Sequence, residues 1–151
     1  MNKKRSERLD VVQQAAARTE KERAERVALA EKHLVEMQQK LSALEKYRGE
    51  YEAGFAAKAG AGFGAHSVRD FQTFLARLGE ALSQQRDLVA AARHALEAEK
   101  NHWREAAQRT HVVETLVERW QGEEARAAGR RDQNMSDELA MQLLQARERA
   151  K

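Results

Sequence analysis

Apolar residues in the first part of the chain recur at alternating steps of three and four residues. Between residues 27 and 51 these positions are Val27, Ala30, Leu34, Met37, Leu41, Leu44, Arg48 and Tyr51. A seven-residue repeat of this kind is typical of one helix of a coiled coil. Upstream, Glu20 and Arg23 interrupt the apolar spacing, so we expect looser packing there. The pattern predicts a helix over about residues 6–52.

The same repeat continues for longer in the second part of the chain. Its positions are Phe71, Leu75, Leu78, Leu82, Gln85, Val89, Ala92, Leu96, Glu99, Trp103, Ala106, Thr110, Val113, Val117 and Trp120. A strict seven-residue repeat falls short of two full helical turns, so it imposes a left-handed supercoil on paired helices. The pattern predicts a second helix over about residues 67–148.

A glycine-rich stretch separates the two predicted helices. Residues 53–66 contain four of the eight glycines, and each glycine inside a helix costs up to ~1 kcal/mol relative to alanine. We therefore predict a loop over this stretch, with the turn centred near Ala59 and Gly60. Ser67 is placed to cap the second helix, and Asp70 follows three residues later to complete the cap.

The two predicted helices should fold back on each other, because each can bury its apolar seam against the other. The sequence thus predicts an all-α protein, in which residues 1–151 form a single antiparallel two-stranded coiled coil, or long α-hairpin. The second helix is the longer one. Its part beyond about Trp120 should therefore overhang the first helix.

Composition supports this fold and argues against a compact enzyme. Ala, Glu, Lys, Leu and Arg dominate the 151 residues, and proline and cysteine are absent, which is typical of coiled coils. Large apolar residues are too few to fill the core of a compact domain with a deep cavity. The strong helix formers and a net charge of only +3 argue against disorder. Absence of cysteine is compatible with a reducing compartment.

Positive charge is concentrated at the start of the chain. Residues 1–26 contain eight Lys and Arg against five Asp and Glu, and the two signs balance elsewhere. Such interspersed charge is unlike the basic stripe of a nucleic-acid-binding protein, so we expect no nucleic-acid partner. No apolar stretch follows the basic start and none is long enough to span a membrane, which predicts a cytoplasmic protein.

The sequence offers no catalytic or metal-binding arrangement. No two of its histidines are three or four residues apart, the spacing that brings two imidazoles to one metal on a helix. The glycine-rich stretch lacks the preceding strand and the following Lys-Ser/Thr of a phosphate-binding loop. We therefore predict no catalytic residue, no cofactor and no metal, and we expect that the protein is not an enzyme.

Apolar residues are in excess on both sides of the predicted loop. Tyr47 lies outside the seam of the first helix, and the second helix carries an additional stripe: Phe74, Leu78, Ala81, Gln85 and Leu88. One interpretation is that the stripe broadens the core of the hairpin. The other is that it forms an exposed aromatic patch that docks another protein. The pattern leaves both open, whereas Trp103 and Trp120 lie on the seam and should pack within it.

Five segments of the chain together resemble the flagellar export protein FliJ family: residues 47–51, 71–85, 103, 113–119 and 130–140. They carry a Tyr-x-x-x-Tyr motif, a Phe-Leu-x-x-Leu motif and a late Asp-Gln-x-x-x-Asp-Glu motif. The order of the motifs and the total length are also similar.

This resemblance implies a soluble component of the flagellar type III protein export apparatus. Members of the family look like the coiled-coil stalk of rotary ATPases and bind the hexameric export ATPase with their helix termini in its pore. They also contact the export gate protein in the membrane, escort export chaperones, and promote assembly and coupling of the ATPase. The protein would then be cytoplasmic and peripheral at the cytoplasmic face of the inner membrane, associated only through its partners.

The resemblance also assigns residues to two partner-binding surfaces. The surface that contacts the export gate would consist of Leu44, Tyr47, Tyr51, Phe74, Leu78, Ala81 and Gln85. The termini that face the ATPase would present Lys3, Lys4, Arg5, Arg8, Trp120, Arg130 and Arg131. The alternative function is a structural coiled-coil scaffold unrelated to secretion, or a protein that forms homodimers through the overhang.

Overall fold

The computed structural model describes residues 5–60, 62 and 64–151. Within them the regular structure is two α-helices, α1 (Arg5–Ala59, 55 residues) and α2 (Ala65–Arg149, 85 residues). The helices pack against each other in opposite directions, because residues early in α1 contact residues late in α2, as between Ser6 and Glu124. The predicted antiparallel helical hairpin is confirmed.

The connection between the helices is shorter than the predicted loop over residues 53–66. Helix α1 continues to Ala59 instead of ending near residue 52. The helical cost of Gly54 is offset next to it, because the ring of Phe55 stacks on that of Phe71 with centroids 3.7 Å apart. Gly62 then reverses the chain with a φ of 79°, a backbone conformation that suits glycine. Ala61 and Phe63, also within the predicted loop, lie outside the described residues.

Helix α2 begins at Ala65, two residues before the predicted start. The carbonyl of Gly64 accepts hydrogen bonds from the N–H groups of Ser67 and Val68, at 3.1 and 3.3 Å. Gly64 therefore occupies the cap position, where glycine is well tolerated. The predicted cap at Ser67 is wrong, because Ser67 already lies inside the first turn of the helix.

The chain divides into two compact units. The first comprises Met1–Glu20 with Ala106–Lys151, and the second comprises Lys21–Glu105. Each unit contains part of α1 and part of α2. They are called the terminal unit and the central unit below.

The core of the central unit follows the predicted seam. Buried Met37, Val89 and Ala92 cluster with the half-buried Leu34 and Leu41. Towards the loop, Leu82 is 1% exposed, and Leu78 and Gln85 are buried at the predicted seam positions, with Phe74 and Ala81 half-buried beside the seam. At the far end of the unit the seam becomes polar. Half-buried Arg23 and Glu99 occupy seam positions, and Trp103, predicted to pack, is 37% exposed.

A buried hydrogen bond sets the pairing of the helices in the central unit. The side-chain amide of Gln85 donates to the carbonyl oxygen of Met37 at 2.9 Å and approaches the Met37 sulfur at 3.6 Å. A turn centred near Ala59 and Gly60 would have placed Met37 opposite Leu82 instead. The observed partner of Met37 therefore lies one turn of α2 away from the expected partner, because α1 extends to Ala59.

The terminal unit joins the start of α1 to the last packed part of α2. Buried Ser6 donates from its N–H and its hydroxyl to the Glu124 carboxylate, at 3.2 and 2.6 Å. This carboxylate satisfies a backbone donor that the first turn of a helix leaves without an intrahelical acceptor. Residues 128–149 of α2 are all exposed. The overhang is confirmed, although it begins after Ala127 because α1 reaches Glu124.

We predict that Leu82→Ala lowers the free energy of unfolding by about 2–4 kcal/mol, because it removes a fully buried side chain from a narrow core. Leu88→Ala is the matched control, since Leu88 lies on the same helix and is 50% exposed. Its effect should be within about 1 kcal/mol. Denaturant unfolding followed by circular dichroism measures both. Equal losses in the two variants would show that Leu82 is not part of a core.

Candidate partner-binding surface

Five aromatic rings cluster at the loop end of the central unit. Helix α1 contributes Tyr47, Tyr51 and Phe55, and α2 contributes Phe71 and Phe74. Phe71 stacks with Tyr51 at 5.2 Å and with Phe55 at 3.7 Å between ring centroids. Phe74 packs against Tyr51 at 4.3 Å and meets Tyr47 edge to face at 6.0 Å. Each such pair adds about 0.5–1.5 kcal/mol beyond the apolar area that it buries.

These contacts also hold the rings in defined positions. A side chain that is already ordered loses little conformational entropy when a second protein binds to it. The cluster therefore presents a rigid surface near the loop.

The residues expected to contact the export gate differ in their exposure. Leu78 and Gln85 are buried. Four members are half-buried: Leu44, Tyr51, Phe74 and Ala81. Tyr47 is 50% exposed. In this structure Leu78 and Gln85 are thus inaccessible to a partner, and the amide of Gln85 is already bonded to Met37.

The stripe divides between the core of the hairpin and its surface. Leu78 and Gln85 belong to the core, whereas Leu88 is as exposed as Tyr47. Phe74, Ala81 and Leu88 are seven residues apart, so their side chains leave α2 on the same side. Tyr47 contacts Phe74 and lies on that side as well. We call Tyr47, Phe74, Ala81 and Leu88 the aromatic face.

The sequence reasoning missed Phe55, which it assigned to the loop. A signal was present, because Phe55 follows Tyr51 by four residues and continues the seam. It also missed Glu124, which accepts both hydrogen bonds from Ser6. Nothing in the local sequence distinguishes Glu124 from its charged neighbours, since its acceptor role depends on where α1 begins.

The residues expected to face the ATPase are brought together only in part. The guanidinium of Arg5 lies over the ring of half-buried Trp120, 5.6 Å from its centroid. These two residues line a shallow cleft with Arg130. The exposed Arg8 and Arg131 lie outside the cleft lining. Lys3 and Lys4 are outside the described residues.

Among residues 5–60, 62 and 64–151, no three His, Cys, Asp or Glu side chains are grouped so as to hold a metal ion. Neither described helix has a stretch long and apolar enough to cross a membrane.

The fold and its accessible side chains define a coiled-coil interaction protein. The family model of the flagellar FliJ protein matches residues 5–149. The flagellar FliJ protein of Escherichia coli (strain K12) is 29% identical over 103 residues, which are 68% of this chain and 70% of that relative. No solved structure matches the chain. The chain belongs to the FliJ family, and it is a flagellar export-related protein.

We predict that Gln85→Leu preserves or raises the melting temperature but loosens the pairing of the helices. Leucine is apolar and of similar size, whereas only the glutamine amide selects the Met37 carbonyl. Because the chain has no cysteine, spin labels can be attached specifically at Lys46→Cys and Arg77→Cys. The distribution of label distances should broaden in Gln85→Leu.

Gln84→Leu is the control for this experiment. It makes the same chemical change at an exposed neighbour of Gln85 and should leave the distribution as narrow as in the unmodified chain. An equally narrow distribution in Gln85→Leu would contradict a role for this amide in setting the pairing.

Proposed function

We propose that this protein is a stalk-like connector of the flagellar type III export apparatus. It binds the hexameric export ATPase through its terminal unit and the export gate through the aromatic face. In this way it promotes assembly of the ATPase and couples it to the gate. The observation that carries the proposal is an ordered, accessible aromatic face on a chain of the FliJ family.

The exposure of Tyr47 and Leu88 supports the proposed binding to the gate. Large apolar side chains that are half exposed on a helical surface, and that lie on one side, favour contact with another protein. Tyrosine is enriched among the residues that contribute most to binding. The contact of Tyr47 with Phe74 fixes the ring before the partner arrives.

Charge and exposed apolar side chains support the proposed binding to the ATPase. Arg8 and Arg131 are exposed in the terminal unit and would be attracted to acidic residues of a pore. In the overhang, Met135, Leu139 and Leu143 are each more than half exposed. A lone helix that carries such side chains suits insertion into a ring of subunits.

The remaining parts of the proposal rest on the family resemblance. They are the escort of export chaperones, a role in motility, and a cytoplasmic position at the inner membrane that depends on the partners. We propose no catalytic activity for the chain itself, because hydrolysis would belong to the ATPase.

We predict that Tyr47→Ala and Phe74→Ala each weaken binding to the cytoplasmic domain of the export gate protein by about tenfold, the effect of losing one strong anchor. Surface plasmon resonance measures the dissociation constant, and circular dichroism measures helicity. Leu29→Ala, at an exposed position of α1 away from the aromatic face, is the control and should bind normally. Unchanged binding by both aromatic variants would refute the proposed surface.

We predict that deletion of residues 128–151 abolishes co-purification with the export ATPase and any change that the protein causes in its hydrolysis rate. The hairpin should remain folded, since the deleted residues are all exposed. Analytical ultracentrifugation of the full and shortened chains tests the alternative function. Conversion of a dimer into a monomer, with ATPase binding retained, would favour the scaffold that dimerises through the overhang.

A further inference from the structure

A cleft of about 370 Å³ opens at the loop end of the central unit, beyond the residues so far assigned to a partner. Both helices form it. The rings of Tyr51, Phe55 and Phe71 line it, together with Gly54 and the carboxylates of Glu50 and Asp70. Of these residues, only Tyr51 belongs to the surface that the family resemblance implies.

Gly54 lies in the lining of this cleft and has open space beside it. A Cβ atom placed on Gly54 would meet no atom within 4 Å, although the residue lies inside α1. Gly54 follows Tyr47 by seven residues, so it lies on the same side of the helix as the aromatic face. The cleft therefore extends the aromatic face towards the loop.

The lining of the cleft combines apolar and acidic groups. The rings provide an apolar wall, while Glu50 and Asp70 bring one carboxylate from each helix. Lys58 is the basic residue in the lining, and His66 approaches Asp70 at 3.5 Å. Two carboxylates therefore face one lysine in the lining. Such a lining suits a side chain with an apolar stem and a cationic head, and it repels an acidic one.

We propose that the cleft receives an arginine or lysine side chain of the export gate. The stem of that side chain packs on Tyr51 and Phe71, and its charged head pairs with Glu50 and Asp70. This inference rests on the proposed binding of the gate to the aromatic face. It adds a second contact next to Tyr47. This contact includes charged groups, which the aromatic anchors alone would not provide.

Filling the cleft tests the proposal without weakening the helix. Gly54→Leu places a side chain in the cleft and replaces a poor helix former by a good one, so helicity should be kept or raised. The dissociation constant for the cytoplasmic domain of the gate protein should rise about tenfold.

Gly49→Leu is the matched control for the filling experiment. It makes the same change inside α1, also with no atom within 4 Å of a new Cβ. Because Gly49 is about 140° around the helix from Gly54, this variant should bind the gate domain as the unmodified chain does.

Changing the charges tests the chemistry of the expected side chain. Glu50→Gln and Asp70→Asn should each weaken binding several-fold and make the dissociation constant less sensitive to salt. Lys58→Gln should have the opposite effect and strengthen binding, because it removes the positive charge that competes with the incoming head group.

The outcomes separate this inference from the function on which it rests. Suppose that Tyr47→Ala weakens binding while Gly54→Leu and Glu50→Gln leave the dissociation constant within twofold of the unmodified chain. The cleft proposal is then overturned and the gate-binding function stands. If Tyr47→Ala, Phe74→Ala and the cleft variants all bind normally, the proposed binding surface and the cleft proposal fail together.

Discussion

The contact between Gln85 and Met37 is the constraint on which the central unit depends. Two packed helices have no interior other than the seam between them, so their alignment decides which residues are buried. Two apolar seams can slide along each other at little cost. A buried amide that moves away from its acceptor loses a hydrogen bond that water cannot replace there. With Gln85 at Met37, Tyr47 meets Phe74 and Tyr51 meets Phe71. The aromatic face and the cleft therefore exist only in this alignment.

The helices and most of the seam could be predicted from the sequence, because a seven-residue repeat is a local signal. Leu82, Gln85 and Val89 are buried as their spacing requires. The turn was predicted too early in the chain. The number of glycines reflects only the backbone cost of Gly54 in a helix, and it does not include the contact with the ring of Phe71. That ring belongs to α2, and it stabilises the last turns of α1. Sequence spacing does not report such a contact.

The candidate surface was predictable in its location but not in its accessibility. The family motifs point to the loop end, where the rings do cluster. Leu78 and Gln85 belong both to the predicted seam and to the expected surface, however, and only the packed helices show that both are buried. The misplaced turn displaced the expected pairing by one turn of α2.

The exposure of the overhang has a consequence for the dynamics of α2. Residues 128–149 are all exposed, so their helicity depends on intrinsic propensity and on continuation of the packed part of α2, more than on burial of an apolar face. Gly129 and Asn134 lower that propensity further. Turns of such a helix melt and re-form within about a microsecond. The C-terminal end of α2 can then shorten and lengthen while the packed seam stays intact.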